Sequence, residues 1–312
     1  MNVQIFDRPD IQAFLKTLSG FDKEGGSPRM KEITHRIVSD LFKAIDDLNI
    51  TPDEYWTGIA WLNEIGATSQ AGLISPGLGL DHFIDERLDA SDAALGIENP
   101  TPRTIEGPLY VAGAPVCKGF ARLDDGTDEN GHLLIMHGTV WGADGKPLPG
   151  ATVEVWHCDT RGFYSHFDPT GKQADFNMRR TIIADENGCY KFQSILPSGY
   201  GVPPGSPTER LLSALGRHGQ RPAHIHFFVS ADGHRKLTTQ INIEGDPLIN
   251  DDFAYATRDG LIPPVIERTD EASIKENGLS GPFAEIKFDI HLTSLVDGVD
   301  NQINEQRKRA AA

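Results

Sequence analysis

Only three of the 312 residues are cysteines, and no two of them form a Cys-x-x-Cys pair. Cys117, Cys158 and Cys189 are odd in number and far apart. They are expected as reduced thiols, mostly buried, in a cytoplasmic protein rather than as disulfides or a thiolate zinc site. Positive charge is scarce as well: 29 Lys and Arg against 45 Asp and Glu leave a formal net charge of −16. That balance argues against nucleic acid, whose phosphates need basic partners, and against an anionic membrane surface. No apolar run approaches the ~20 residues of a spanning helix. The stretch "MNVQIFDRPDIQAFLK" has charges where a signal peptide needs its apolar core, so no export is expected. Several chemical signatures are missing too. "GLGLDH" at 77–82 lacks the third glycine of a dinucleotide fingerprint and follows no strand pattern. "DDGTDENG" at 124–131 lacks the Glu that closes an EF-hand loop. There is no Gly-x-Ser-x-Gly elbow and no P-loop.

What is present is a globular composition, 38% hydrophobic and 24% charged, in two textures. The first hundred residues read as helical. Met30, Ile33, Ile37, Leu41, Ala44 and Leu48 recur at intervals of three and four, one stripe on a helix. Ser27 is a natural N-cap and Pro28 a first-turn proline. Thr51, Pro52 and Glu54 form a capping box for the next helix, with Gly66 as its stop. A looser helix is expected from about Asp81 to Leu95. Beyond "ENPTPRTIEGPLYVAGAP" the pattern turns to strands. "HLLIMHGTVWG" and "ATVEVWHC" flank Asp144-Gly145, "RRTIIA" and "CYKFQSI" flank Asn187-Gly188, and "HIHFFVS" and "KLTTQINI" flank Asp232-Gly233. Such dipeptides between alternating apolar runs signal hairpins. In "EIKFDIHL", Ile286, Phe288, Ile290 and Leu292 share one face of a strand. No repeated helix separates these strands, so a doubly wound parallel sheet is not expected. The reading is a mixed α+β chain: a helical part over residues 1–104, then a β-sandwich over 105–312. The tail "EQRKRAAA" is expected to fray.

The stretch "GRHGQRPAHIHFFVSADGHRK" holds four of the eleven histidines. On a strand, His224 and His226 point to one face. Two protonated imidazoles there would repel, and two neutral ones on a dry face would leave nitrogens unpaired. A metal resolves both problems; a hydrogen-bonded pair on a half-exposed strand is the alternative. His157 and His166 are possible third ligands or ordinary packed histidines, and His132 and His137 carry the same ambiguity. His218 and His234 are expected at the surface. The 45 acidic residues are too many to select one by spacing.

Read together, "TPRTIEGPLYVAGAP", "GFYSHFDPTG", "LPSGYG", "GRHGQRPAHIHFFVSADGHRKLTTQI" and "DDFAYATRDGL" resemble the intradiol ring-cleaving dioxygenases, and among these the enzymes that act on catechol. The resemblance covers nearly the whole chain. It implies a non-haem Fe(III), one per chain, held by Tyr164, Tyr200, His224 and His226. Hard phenolate donors suit a trivalent cation better than zinc. Fe(III) with two phenolates, two neutral imidazoles and a hydroxide is neutral, and a catechol dianion can replace one phenolate and the hydroxide without changing that sum. In the family the departing tyrosine matches Tyr200. The resemblance further implies intradiol cleavage of catechol with O2 to cis,cis-muconate, a step of aromatic degradation in the β-ketoadipate pathway. Arg221 is implied as the stabiliser of developing negative charge, and Gln240 as a polar residue behind the ligands. Leu73, Pro76, Ile105, Gly107, Pro108, Leu109, Phe253 and Ala254, with Arg221, are implied to line the substrate pocket. A homodimer built through the N-terminal helices is implied, with a bound lipid at its interface as a recurring family feature; the stripe from Met30 to Leu48 could equally be plain core. Two other readings compete. One is a zinc or Fe(II) β-barrel enzyme of cupin type using His224 and His226. The other is a non-enzymatic carrier module, since "DGKPLPGATVEVW" resembles transthyretin-like sandwiches.

Overall fold

In the computed structural model, described for residues 3–97, 100–128 and 131–296, the chain forms two compact units, Met1–Thr68 and Ser69–Ala312. The frayed tail expected at 305–312 lies outside the described residues. The first unit contains α1 (Pro9–Leu18), α2 (Pro28–Leu48) and α3 (Pro52–Ala67). Ser27 caps α2 by accepting from the Met30 amide, and Asn49 ends it in the left-handed conformation. Thr51 and Glu54 make the expected capping box. Gly66 does not stop α3, which runs on to Ala67. Thr68 there bonds back to the Glu64 carbonyl, and the next residue, Ser69, supplies the positive φ that leaves the helix. Phe14 of α1 stacks on Phe42 of α2, yet α2 has no fully buried residue, and Met30, Ile37, Leu41 and Leu48 of its stripe are exposed.

The second unit begins with α4 (Ala71–Gly77) and α5 (Leu80–Ala94). Strands β1 (Val116–Lys118), β2 (Phe120–Arg122), β3 (Leu133–Trp141), β4 (Thr152–Trp156), β5 (Arg179–Ile183), β6 (Cys189–Ile195) and β7 (Tyr200–Gly201) follow, then α6 (Pro207–Ala214). The rest is β8 (Gln220–Arg221), β9 (His224–Ser230), β10 (Leu237–Asn242), β11 (Ile266–Arg268), α7 (Glu271–Glu276), β12 (Phe283–Lys287) and β13 (Ile290–His291). One sheet has the order β1-β5-β4-β9-β10 and the other β11-β12-β3-β6-β2, with β13 also on β3 and β7-β8 a separate ribbon. Between the two sheets lies the core: Leu134, Met136 and Val140 from β3, Phe192 from β6 and Ile286 from β12 meet Val153 and Val155 from β4 and Ile225, Phe227 and Val229 from β9. Each such side chain contributes about 1.5–3 kcal/mol by leaving water. The architecture is the mixed α+β arrangement expected.

The compact units divide after Thr68, whereas the sequence boundary at 104/105 follows the change from helix to strand. Helix α4 belongs with the sandwich because Leu73 packs on the cluster of Leu212, Phe253 and Ala254. Of the three expected hairpins, only the one at Asp232-Gly233 joins its flanking strands, β9 and β10. The other two are corrections. Strands β3 and β4 lie in different sheets, as do β5 and β6. Both turns form locally, with Leu148 donating to Val140 at one and Asp185 donating to Cys189 at the other. The chain then crosses to the opposite sheet, because the sandwich buries both apolar runs against each other rather than side by side. Of the cysteines, Cys158 is buried while Cys117 and Cys189 are half-buried, and all three are free.

Candidate active site

Alternation on β9 sends Ile225, Phe227 and Val229 into the sandwich core and His224 and His226 to the opposite face. There β4 places Trp156 in register with His226. The indole stacks on the His226 imidazole with ring centroids 4.9 Å apart and planes 6° from parallel. Tyr164 arrives on the loop after β4, walled in by Trp156, Cys158 and Phe228, with the Arg179 guanidinium over its ring at 5.6 Å. Tyr200 arrives on β7, paired with Arg221 of β8. The approach of these loops needs Gly162: its φ is +81°, and a Cβ there would fall 2.7 Å from Cβ of Tyr200.

Four donors converge. His224 Nε2 lies 3.1 Å from His226 Nε2, 3.4 Å from Tyr164 Oη and 3.3 Å from Tyr200 Oη, and the two phenols are 3.4 Å apart. Arg221 Nη1 stands 3.0 Å from His224 Nε2. The Pro222 carbonyl accepts from His224 Nδ1 at 2.7 Å, which leaves Nε2 as the lone-pair nitrogen. His226 Nδ1 is buried without a protein partner. Burial, reinforced by the charge of Arg221, takes the His224 pKa down to about 3. Burial, with His224 and Arg221 beside it, pushes His226 well below the usual imidazole value. Burial raises both phenols, Tyr164 strongly and with the help of Tyr200.

By themselves these groups are poorly matched. His224 Nε2, a lone-pair nitrogen, faces His226 Nε2 at 3.1 Å, so either two lone pairs meet or the proton of His226 sits on Nε2 and its buried Nδ1 lone pair goes unpaired. A cation satisfies all four donors, and it reverses the phenols' preference, because a bound ion favours the deprotonated ligand. Ligand atoms about 2 Å from one ion stand roughly 3 Å from one another, the spacing found here. The donor set therefore fits a hard trivalent metal, the kind the family resemblance implies. Among the described residues no group of three or more His, Cys, Asp or Glu could hold a metal; the further donors beside the two imidazoles are the phenols of Tyr164 and Tyr200. His157 is not one of them: it is buried, its Nδ1 is 2.7 Å from the Cys158 carbonyl and its Nε2 2.8 Å from Ser194 Oγ. His166 accepts from the Phe176 amide, while His132 and His137 pair with Glu267 and Glu285.

Around the donors, Arg221 is almost fully buried and its guanidinium is held on two sides. Nε and Nη2 donate to the two carboxylate oxygens of Asp252, both at 3.1 Å. Nη2 also donates to Gln240 Oε1 at 2.8 Å. Burial alone would raise the Asp252 carboxyl, but Arg221 and the Ala254 amide hold it below the usual range. Gly107 lies against the His226 ring, 3.5 Å from where a Cβ would stand. Ile105, Phe253 and Ala254 are buried in one apolar cluster with Leu73 against it. Leu109 packs on the Trp156–Tyr164 cluster. Pro76 is buried in α4, and Pro108 contacts Gly72 of the same helix. A separate cleft of about 490 Å³ runs beside α5; of the pocket residues expected from sequence, only Ile105 lines it.

Sequence reasoning missed Asp252, Arg179 and Trp156. Asp252 is one of 45 acidic residues and lies far from Arg221 along the chain. Its one available signal is its place in "DDFAYATRDGL", immediately before Phe253. Trp156 could have been found from β4 alternation had the partner strand been known.

Comparison with known proteins places these residues in context. A family model described as "Dioxygenase" matches residues 105–294, and one described as "Catechol dioxygenase N terminus" matches residues 27–96. The chain is 66% identical over 310 residues to catechol 1,2-dioxygenase of Acinetobacter baylyi, covering 99% of this chain and 100% of that protein. Its fold matches the structure of the mercury-inhibited catechol 1,2-dioxygenase from Acinetobacter sp. ADP1 with a TM-score of 0.93 at 67% identity, over 96% of this chain and 97% of that one. The catechol 1,2-dioxygenase from Pseudomonas arvilla C-1 matches with a TM-score of 0.89 at 52% identity, over 96% of each chain.

Proposed function

Because the chain belongs to the intradiol ring-cleaving dioxygenase family, we propose that it cleaves catechol with O2 between the two hydroxylated carbons, giving cis,cis-muconate, at an Fe(III) held by Tyr164, Tyr200, His224 and His226. The observation that carries this reading is the convergence of those donor atoms on His224 Nε2: His226 Nε2 and the two phenol oxygens lie 3.1–3.4 Å from it, and the phenols are 3.4 Å apart. Bound Fe(III) supplies a hard Lewis acid that draws electron density from the diol and opens a ring carbon to O2.

The chain's own groups do the rest. Burial, with the Arg221 charge beside them, favours the neutral form of His224 and His226 near neutral pH. Tyr200 Oη, deprotonated when it holds the cation, would be the phenolate that takes a proton from an incoming diol hydroxyl and leaves as the neutral phenol: Tyr200 is half-buried on the short β7–β8 ribbon, whereas Tyr164 is sealed in its cluster. Arg221 Nη1 faces the same point with a fixed positive charge, where it stabilises negative charge developing on the ring. The family resemblance assigns Ile105, Phe253 and Ala254, buried together in one apolar cluster, to the wall that would hold the ring and exclude water.

Neither competing reading is favoured. A zinc or Fe(II) site of cupin type needs a third histidine or a carboxylate beside His224 and His226, and the described residues offer none. A carrier module has no use for the two phenols and Arg221 together.

Selectivity among diols tests the reading. A carboxylate on the ring, as in protocatechuate, needs a buried cation at the far end of the pocket. Arg221 is committed to Asp252 and Gln240 and Arg217 to the carbonyls of Gly77 and Phe253; Arg179 holds Ser165 with Nε and Nη2 and covers the Tyr164 ring, with only its Nη1 lacking a hydrogen-bond partner. Burying an unpaired carboxylate costs several kcal/mol, and even ~3 kcal/mol lowers kcat/KM roughly a hundredfold. A ring methyl poses only a packing problem, so 4-methylcatechol is expected to remain a fair substrate. Measured kcat/KM for the three diols under identical conditions should rank catechol far above protocatechuate. Protocatechuate within about threefold of catechol, or no turnover of catechol at all, sinks the proposal.

The chain is further expected to work as a homodimer in the cytoplasm, with α2 at the interface; whether a lipid occupies that interface is left to experiment. The exposed residues Met30, Ile37, Leu41 and Leu48 on a helix without a buried residue support the interface. Among the described residues no helix is long and apolar enough to cross a membrane. Sedimentation at micromolar concentration should give twice the chain mass; a species of 34.2 kDa refutes the dimer.

A further inference from the structure

Arg221 reaches the reaction centre with one arm only. Its Nε and Nη2 are taken by Asp252 and Gln240, and Nη1 alone faces His224 Nε2. The direction of that arm is therefore set by whatever fixes the other two nitrogens. A planar guanidinium gripped at Nε and Nη2 by one carboxylate has no remaining rotation in its plane. The gripping group is itself fixed. Asp252 Oδ1 accepts from the Ala254 amide at 3.0 Å as well as from Arg221 Nε, and Oδ2 accepts from the Ala256 amide at 3.4 Å as well as from Nη2. Its side chain is 1% exposed. The loop that carries it is tied to the strand before the histidines, because the Phe253 amide donates to the Gln220 carbonyl at 3.1 Å. The same short segment supplies Phe253 and Ala254 to the apolar cluster.

From this arrangement, and resting on the function proposed above, we infer that Asp252 is a positioning residue: its carboxylate aims Nη1 of Arg221 at the reacting diol and fixes that aim to the Phe253–Ala254 wall holding the ring. The arginine and the pocket wall then share one reference point, so substrate and stabilising charge move together or not at all. The device differs from simple charge neutralisation. Neutralisation needs any carboxylate nearby; aiming needs this carboxylate at this distance.

Asp252→Glu separates the two. It keeps the charge and lengthens the arm by one methylene. The expected result is a folded protein with the parent's iron content, visible colour and anaerobic spectral response to catechol. Its kcat falls by about 10–100-fold, the usual effect of losing a group that orients another at a site, and KM changes much less. Asp252→Asn is measured in the parent and again in Arg221→Leu. In the parent it should lower kcat by a similar factor; in Arg221→Leu, which has no arm left to aim, it should change kcat less than about twofold, because groups acting as one unit are not additive. A parental kcat for Asp252→Glu overturns the inference, as does an equal loss from Asp252→Asn in both backgrounds. If Asp252→Asn does not fold in the parent, Asp252→Glu alone decides. Failure of the parent protein itself to take up iron or to respond to catechol would instead overturn the proposed function.

Discussion

Tyr164→Phe should strip the iron-loaded protein of its visible colour, of its iron, or of both, and should abolish most turnover. Only the phenol oxygen is removed. The ring stays in the Trp156, Cys158 and Phe228 cluster and under the Arg179 guanidinium, so the fold has no reason to change. In the metal-free protein the lost contacts are long ones, 3.4 Å to Tyr200 and to His224, which contribute little to stability. What disappears is one of two hard anionic donors. Loss of a group that merely orients a ligand typically costs 10–100-fold in metal affinity or activity; loss of the ligand itself should exceed that. Iron per chain and the visible spectrum, measured beside the parent, give the answer. A variant that keeps the parent's spectrum and rate removes Tyr164 from the donor set.

Arg221→Leu should have the opposite signature, with iron and colour retained and turnover reduced by about 10²–10³, the usual loss when one stabiliser of developing charge is removed. The geometry adds a second consequence. Leucine leaves the buried Asp252 carboxylate without its cation, and breaking a buried pair on one side costs about 3–5 kcal/mol. Two amides still serve the carboxylate, but its folded-state pKa must rise once Arg221 is gone. A carboxyl group whose pKa is higher folded than unfolded favours the folded state at acid pH and penalises it as pH rises. The stability deficit of Arg221→Leu should therefore shrink on acidification, while its turnover does not recover. Steady-state kinetics together with denaturation at two pH values check both parts. An unchanged kcat would take Arg221 out of the mechanism.

How much of this was legible in the sequence varies with the range of the forces involved. Capping is local chemistry, so Ser27, Thr51 and Glu54 mark their helices correctly. The β9–β10 hairpin was legible because turn and strand pairing coincide there. At Asp144-Gly145 and Asn187-Gly188 the turn chemistry was right and the pairing wrong. A dipeptide fixes a reversal of direction, but which sheet receives the next strand depends on burial across the whole sandwich. His224 and His226 stood out because strand alternation puts i and i+2 on one face. The periodicity of the chain says nothing of Tyr164 and Tyr200, which lie on a loop and a two-residue strand; only resemblance to a family selected them from six tyrosines. Asp252 shows the limit of both routes. A buried carboxylate that grips an arginine 31 residues away leaves no periodic trace.

The central claim, that two phenols and two imidazoles hold an Fe(III) to which catechol binds for cleavage, is tested most directly by one spectroscopic experiment. The visible spectrum of the iron-loaded protein is recorded, catechol is added without oxygen, and air is then admitted while the product is identified. The iron-loaded protein should be coloured and carry about one iron per chain, since the two phenols and two imidazoles gather at one point. Catechol should shift the band anaerobically, and air should restore the original spectrum as cis,cis-muconate accumulates. A colourless iron-loaded protein, or a spectrum that catechol leaves untouched, would contradict that claim.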